Sequence, residues 1–311
     1  FTSQEMKISF ILTKIISSIL VILIVVSATF LLLRILPGGP FDTEKKLPPR
    51  VKNNIEKKYK LDQPLIKQYI YYIKSTVSLD LGPSYFYPGK NVNDIIKKSF
   101  PYSLKIGLLA LIFTIFISIL VAKFIYNNKK SFFSKVIINF LYLSVGTPTF
   151  LIGALLIMIF SVQLKILPAA LLESPLSYIL PVITLSIPSI AFLSKLMLES
   201  MNDIEKTLYF RNAKLNNIKS NLILKYYIVR NSLVPFITAI GPISAFMITG
   251  SFVVESIFSI PGMGKMFILS IINRDYPIVC GLTIVYTVVL VTINMLIDLT
   301  YPIIDKRIKY Q

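Results

Sequence analysis

The fold of this chain is indicated by a polar, basic stretch that reads Tyr209-Phe210-Arg211-Asn212-Ala213-Lys214-Leu215-Asn216-Asn217. The stretch runs on to Arg230-Asn231-Ser232-Leu233-Val234-Pro235 and lies between two apolar segments, each long enough to cross a bilayer. A polar helix pair on the inner side of a membrane protein offers a surface to a cytoplasmic partner. The sequence therefore predicts a membrane protein that is driven by another chain.

The composition supports a membrane protein, because 54% of the residues are hydrophobic and only 15% are charged, which is too apolar for an ordinary soluble domain. Six stretches of about 20 or more mostly apolar residues predict membrane spans: residues 10–33, 103–126, 136–162, 178–198, 233–254 and 278–299. They lack the alternation of barrel strands. The predicted fold class is an all-α polytopic membrane protein with six transmembrane helices.

The orientation is predicted from the basic residues, which gather in the loops on the side of the N-terminus: Lys129, Lys130, Lys135, Lys206, Arg211, Lys214, Lys219, Lys225, Arg230, Lys306, Arg307 and Lys309. Both termini are therefore expected in the cytoplasm. The segment 34–100 is also basic, but long loops translocate largely regardless of charge, so it is expected outside. The net charge of +18 is mainly a topological signal with an attraction to anionic membrane lipid. No nucleic-acid partner is expected, since no recognition motif accompanies the charge.

Several chemistries are excluded by composition. The chain has no histidine and a single cysteine, Cys280, so a Cys/His zinc site and Ser-His-Asp or Cys-His catalysis are not available. The run Gly262-Met263-Gly264-Lys265-Met266 lacks the first glycine and the Ser or Thr of a phosphate-binding loop. We therefore expect no catalytic residue, no metal and no cofactor on this chain. Its energy must come from an ion gradient or from another subunit.

Local patterns add four structural predictions. Helix-breaking residues interrupt the predicted spans at Gly146-Thr147-Pro148, Pro181, Pro188, Pro235 and Gly241-Pro242. Lys195 and Glu199 lie four residues apart and predict a local pair. Asn294 and Asp298 share one side of the last span and predict a polar contact between helices. In the outer segment, residues 50–75 have a helical pattern, with apolar positions near one face at Ile55, Tyr59, Ile66, Ile70 and Ile73.

At this point several motifs, spread over nearly the whole chain, carry a family resemblance: Leu36-Pro37-Gly38-Gly39-Pro40, Tyr59-Lys60-Leu61-Asp62-Gln63-Pro64-Leu65, Leu79-Asp80-Leu81-Gly82-Pro83-Ser84-Tyr85, Gly250-Ser251-Phe252-Val253-Val254-Glu255, Ile257-Phe258-Ser259-Ile260-Pro261-Gly262-Met263-Gly264, Arg274-Asp275-Tyr276-Pro277-Ile278 and Asn294-Met295-Leu296-Ile297-Asp298-Leu299-Thr300-Tyr301. The chain resembles the integral-membrane permease subunits of bacterial oligopeptide, dipeptide and nickel ABC importers, specifically the first of their two permease types. The resemblance implies the type I ABC importer fold, with an extracytoplasmic segment after the first helix that faces a substrate-binding protein.

The resemblance also implies a site that couples the permease to its ATPases. The family's coupling motif is close to Tyr-Ile-Arg-Thr-Ala-Arg-Ala-Lys-Gly. Carried over to this sequence, it gives as coupling residues Tyr209, Arg211, Ala213, Leu215, Asn217, Arg230, Asn231 and Pro235. Small residues such as Ala213 are expected to let a short helix sit deep in a partner's groove, and Asn217 is expected to end that helix in left-handed geometry. Leu215, Asn216 and Asn217 depart from the family's Ala, Lys and Gly.

By the same resemblance the partners are a homologous second permease subunit, two ABC ATPase subunits and an extracytoplasmic substrate-binding protein, in the bacterial inner membrane. The implied cargo is a peptide, with nickel or a nickel chelate as the alternative, and the substrate-binding residues are unknown. The implied domains are 1–33, the first helix with its tail; 34–100, the outer segment; 101–305, the permease domain with a coupling loop at 200–231; and 306–311, a cytoplasmic tail. A gradient-driven secondary transporter is the alternative from another class, but mid-span positions are nearly free of Asp and Glu. An intramembrane enzyme lacks a nucleophile motif.

Overall fold

The computed structural model describes residues 3–35, 62–216, 218–219 and 222–304. Regular structure within these residues is helical, apart from an isolated bridge between Pro83 and Asn91. In chain order the helices are α1 (Ser3–Ile35), α2 (Leu65–Val77), α3 (Val92–Asn127), α4 (Phe132–Gly146), α5 (Thr149–Leu156), α6 (Ile179–Ile204), α7 (Leu208–Leu215), α8 (Arg230–Thr249), α9 (Phe252–Ile257), α10 (Met263–Ile272) and α11 (Tyr276–Ile304). Wider π-helical turns extend α5 over Ile157–Gln163 and lead into α8 over Ile223–Val229.

The number of spans agrees with the hydropathy pattern, with one correction. Among the described residues, five helical stretches are long and apolar enough to cross a membrane, and a sixth is the pair formed by α4 and the extended α5. This pair is bent by 118°, so the predicted span at 136–162 is not one straight helix but a broken span or a re-entrant loop. The bend lies where the sequence predicts a break. Thr147 adopts an extended conformation, because the ring of Pro148 disfavours helical geometry in the residue before it.

At the other positions where the sequence predicts a break, the helices are not interrupted, so these predictions are wrong. Helix α6 continues through Pro188, and α8 continues through Pro235 and Pro242. Pro181 lies in the first turn of α6, where a missing backbone N–H is tolerated. Neighbouring helices in a tightly packed bundle hold a proline-containing helix together by tertiary contacts, which is why the sequence pattern overstates these interruptions.

The core is built on a close contact between α3 and α6. Both helices bury small side chains at their interface: Ala110, Ser118 and Ala122 on α3, and Ser186, Ala191 and Ser194 on α6. Ser186 Oγ donates a hydrogen bond to the carbonyl of Ala110 at 3.1 Å. Helix α8 crosses α3 at Gly107, where an added Cβ would lie 2.4 Å from the carbonyl oxygen of Met247. Small residues let these helix backbones approach each other, as is typical of membrane bundles.

The glycine-rich motif before α11 folds around a buried carboxylate. Glu255 in α9 is 3% exposed and accepts hydrogen bonds from Ser103 Oγ and the backbone N–H of Lys265, both at 2.7 Å. A Cβ on Gly262 would clash with this carboxylate, so a larger residue there would force Glu255 to move. The run that superficially resembles a phosphate-binding loop therefore opens α10 and uses its free amides to bind the chain's own Glu255.

Two motifs that are far apart in the sequence meet at another buried carboxylate. Asp275, at the start of α11, is fully buried and accepts hydrogen bonds from the hydroxyl of Ser84 and from the backbone N–H groups of Tyr85 and Phe86. This contact fixes the loop between α2 and α3 against α11. It explains physically why both motifs carry polar residues that a lipid-facing helix would not need.

Candidate functional site

Helix α7 is the central part of the predicted coupling site, and it is attached to the bundle through one face. Phe210 and Ala213, three residues apart, are 6% and 3% exposed. They join a buried apolar cluster contributed by α3, α6, α8 and the π-helical turn before α8: Ala122, Leu193, Met197, Met201, Ile204, Ile223, Ile228 and Phe236. The helix begins after Thr207, whose Oγ1 donates to the carbonyl of Ile204 at 2.6 Å. Phe210 and Ala213 therefore attach α7 to an apolar cluster that α6 and α8 also enter.

The opposite face of α7 is exposed. Leu208 and Leu215 are 75% and 80% exposed, and their spacing of seven residues puts them on one side of the helix. Arg211, also exposed, lies between them, and Tyr209 is 40% exposed at the side. The outward surface of α7 is therefore a cation flanked by two leucines. We call these three residues, Leu208, Arg211 and Leu215, the α7 outer face.

The structure corrects the expected orientation of Ala213. The sequence pattern predicts that its small side chain faces a partner's groove, but its methyl group packs into the chain's own core. Its size is explained by the close approach of α7 to the bundle. Of the four predicted coupling residues on α7, the other three, Tyr209, Arg211 and Leu215, have exposed side chains.

The remaining predicted coupling residues follow α7 at a distance. Arg230 and Asn231 are exposed in the first turn of α8, where Asn231 Nδ2 donates to the carbonyl of Tyr227 at 2.6 Å. Pro235 is half-buried one turn further on. Asn217 lies outside the described residues, so the predicted left-handed cap is untested. The preceding residue, Asn216, caps the helix with its N–H bonded to the carbonyl of Asn212.

A polar network holds the start of this region to α3. Glu205 directly follows α6 and accepts hydrogen bonds from Tyr126 Oη and from Lys129 Nζ, the latter at 2.7 Å. Burial disfavours its charged form, but the hydrogen bonds from Lys129 and Tyr126 outweigh burial and hold the pKa of Glu205 below its usual range. The carboxylate therefore stays charged at neutral pH and joins the ends of α3 and α6 beside α7.

Sequence reasoning missed Glu205, its partners and Leu208. Glu205 is 76 residues from Lys129, and no local pattern connects two residues so far apart. The available signal was an acidic residue within a strongly basic loop region. Leu208 could have been found from its seven-residue spacing to Leu215.

Two further pairs test the predicted polar contacts. Lys195 and Glu199 form the predicted local pair, with 3.9 Å between Nζ and Oε1, and both side chains are exposed. Asp298 makes the predicted contact between helices, but with an unexpected partner: its carboxylate lies 2.6 Å from Lys14 Nζ. This ion pair joins the early part of α1 to the late part of α11. Within the described residues no group of three or more His, Cys, Asp or Glu side chains is arranged to hold a metal.

The apolar helices and the polar α7 region define a polytopic helical membrane protein with an exposed face for a partner. Comparison with known families is specific. The chain belongs to the binding-protein-dependent transport system inner membrane component family, whose description matches residues 107–310, and the N-terminal description of the same membrane components matches residues 7–107. It is therefore a multi-pass inner-membrane protein and a member of the ABC permeases.

Two relatives extend over almost the full chain. The dipeptide transport system permease protein DppB of Bacillus subtilis is 38% identical over 93% of this chain and 94% of its own length. The oligopeptide transport system permease protein OppB of Haemophilus influenzae is 35% identical over 97% of this chain and 99% of its own length. Their coverage means that the whole chain, and not one domain of it, shares their organisation.

A solved structure supports the fold. The crystal structure of an amino acid ABC transporter with histidines superposes with a TM-score of 0.51, at 19% identity, over 69% of this chain and 94% of that one. At this identity the similarity concerns the fold alone. It agrees with the predicted membrane domain of ABC transporter type.

Proposed function

We propose that this chain is the permease subunit of an ATP-driven importer and forms half of a translocation pathway for peptides. The observation that carries the proposal is the full-length similarity to a dipeptide permease at 38% identity and to an oligopeptide permease at 35% identity. Both relatives are named for peptide transport, which favours a peptide over nickel as cargo. A gradient-driven transporter is disfavoured by the family membership.

The proposed role of α7 is to receive the movement of an ATPase. Its outer face offers two exposed leucines around an arginine, while Phe210 and Ala213 fix the helix to the core that α6 and α8 share. A force on the outer face would be passed to the apolar cluster that both helices share. Alternating access needs such a contact, because a partner can shift a conformational equilibrium only through contacts that differ between the two states.

The proposed assembly contains a second, homologous permease, two ATPases and an extracytoplasmic substrate-binding protein. ATP hydrolysis is assigned to the ATPases, and this chain carries no cofactor of its own. Both termini are proposed to be cytoplasmic. The ion pair between Lys14 and Asp298 supports ends that share one face, and the basic loops favour the cytoplasm for that face.

The cargo is tested with the complete complex in proteoliposomes that contain its substrate-binding protein. Addition of dipeptides or oligopeptides is expected to raise the ATPase rate, while NiCl2 alone is expected to leave it at the basal level. Stimulation by nickel without any effect of peptides would contradict the proposed cargo. A complex without the binding protein serves as the control for stimulation that does not depend on delivery.

A further inference from the structure

Helix α2 has an apolar stripe that the structure leaves exposed. Ile66, Ile70 and Val77 are 73%, 60% and 78% exposed, and Ile73 between them is partly exposed. Their spacing of four, three and four residues is that of one face of a helix. No residue of α2 is fully buried. The apolar face of a surface helix ordinarily faces the core, whereas this one is exposed.

The contacts of α2 with α1 show its depth in the membrane. Tyr69 Oη lies 2.6 Å from Ser27 Oγ, the ring of Tyr72 stacks on Phe30 with 5.4 Å between centroids, and Arg34 Nε donates to Gln68 Oε1 at 3.1 Å. Ser27 and Arg34 belong to the apolar span Leu12–Ile35. Helix α2 therefore lies beside the last third of that span, at the level of the membrane interface.

The same contacts show which side of α2 is deeper. Ser27 lies about 10 Å further into the span than Arg34, at 1.5 Å per residue. Gln68 contacts Arg34 near the end of the span, and Tyr69 contacts Ser27 deeper within it. Each helical residue is rotated by about 100° from the one before. Going from Gln68 to Tyr69 around the helix therefore moves from the end of the span toward the middle of the membrane. Ile70 lies a further step in the same direction, so the exposed stripe faces the middle of the membrane.

The surroundings of the stripe fit acyl chains. The neighbouring part of α1 also exposes aliphatic side chains, with Leu31 and Leu32 at 52% and 64%. Lys67 and Lys74, seven residues apart and exposed, lie along the edge beside the stripe. Aliphatic residues below and lysines at the side are the pattern of helices that lie in the membrane interface.

We propose that α2 is an interfacial helix whose Ile66, Ile70, Ile73 and Val77 insert among the acyl chains of the leaflet at the C-terminal end of α1. Lys67 and Lys74 extend to the phosphates of the headgroups. The identity of this leaflet as the outer one rests on the proposed orientation, whereas the depth of α2 does not. A substrate-binding protein would then meet the side of α2 that bears Tyr71, and not the stripe.

The proposal is tested with single cysteines that carry a fluorophore, in the full complex reconstituted in nanodiscs, after Cys280→Ala removes the native thiol. Ile66→Cys and Ile70→Cys report on the stripe, and Tyr71→Cys, at a side chain that is 56% exposed on the other side of α2, is the matched control. Quenching by lipids with a nitroxide on the acyl chain is expected to be several-fold stronger at Ile66 and Ile70 than at Tyr71. A water-soluble quencher should give the opposite order.

Two results would overturn the proposal. Equal access of the water-soluble quencher to Ile66, Ile70 and Tyr71 would mean that the stripe faces water. Protection of Ile66 and Ile70 from both quenchers would mean that another protein covers it. All three substitutions are at exposed positions, so loss of folding is not expected, and size-exclusion chromatography of each labelled complex checks this.

Discussion

Leu215 allows the proposed docking surface to be tested with little disturbance of the fold, because its side chain is 80% exposed. Leu215→Asp is expected to leave the stability of the isolated chain within about 0.5 kcal/mol. If an ATPase covers the α7 outer face, the same change buries a charge without a partner, at a cost on the order of 2 kcal/mol or more. Recovery of the ATPases with the purified permease is expected to fall by more than roughly tenfold.

The matched control is Leu79→Asp. Leu79 is 79% exposed and lies in the loop between α2 and α3, so the change is equal in chemistry and exposure but distant from α7. It should not affect recovery of the ATPases. Ala213→Asp is a poor test in comparison, because Ala213 packs into the chain's own core and the change is expected to unfold the region. Undiminished recovery with Leu215→Asp would remove the α7 outer face from the interface.

Glu255 gives a second prediction at this scale. Glu255→Gln keeps the shape of the side chain, but its amide group cannot accept from both Ser103 Oγ and the N–H of Lys265 as the carboxylate does. The change is expected to destabilise the chain by about 1–3 kcal/mol, seen as a lower midpoint of thermal unfolding in detergent. Glu199→Gln, at an exposed pair, should change the midpoint little. Equal effects of both substitutions would argue against a structural role for the buried carboxylate.

Single residues also show which features the sequence could predict and which it could not. The polar α7 region was predictable, because its charged residues lie between two apolar spans. The burial of Ala213 was not predictable, since an eight-residue helix offers too few positions to fix its apolar face. The bonds between Glu255 and Ser103, 152 residues apart, depend on tertiary packing that no local pattern contains.

At the scale of helices, the crossing of α3 and α8 is expected to depend on Gly107. An added Cβ there would meet backbone atoms of Met247 and Ile248, which cannot move aside as a side chain could. Gly107→Ala should therefore destabilise the chain by roughly 1–3 kcal/mol. Gly146→Ala is the control, because nothing lies within 4 Å of its Cβ position. Equal thermal unfolding midpoints of the two variants would contradict a close approach of α3 and α8.

The ion pair that links the ends of α3 and α6 predicts that the free energy of unfolding depends on pH. The side chains of Lys129 and Glu205 are 44% and 35% exposed, so their ion pair contributes at most about 1 kcal/mol. Because the pKa of Glu205 is lowered by folding, this contribution is present above the ordinary glutamate pKa of about 4.3. It is lost as the pH falls through the lower value of the folded state.

The measurement compares the unfolding of the wild-type chain with that of Glu205→Gln as the pH is lowered from neutral. The wild-type advantage should be constant down to about pH 5 and should disappear at lower pH. An advantage that grows on acidification would contradict the assigned cause.

The helices themselves were predicted well where long apolar runs determine them. The position of the break before Pro148 followed from the sequence, whereas the 118° between α4 and α5 depends on how the bundle packs. For α2 the described part of the predicted helix is confirmed from Leu65 onward. Its exposed stripe could not be assigned to lipid without the contacts of Tyr69 and Gln68, because the sequence does not reveal which side of an amphipathic helix is deeper.

For the whole molecule, one domain boundary predicted from the sequence lies inside a continuous helix. Helix α3 runs from Val92 to Asn127 through the predicted boundary at residues 100 and 101, and the two family descriptions meet at residue 107 in the same helix. Through Ser103 and Gly107 this helix contacts α9 and α8. A movement of α3 would therefore displace residues on both sides of the predicted boundary.

The most direct test of the account is peptide uptake into proteoliposomes that contain the complete complex, with ATP supplied on the side of the ATPases and all ion gradients collapsed by ionophores. The account predicts that a labelled peptide accumulates only with ATP and the substrate-binding protein, and that the Leu215→Asp complex accumulates much less than the wild-type complex. Uptake that needs no ATP, and that is seen only in a parallel assay without ionophores, would contradict the account.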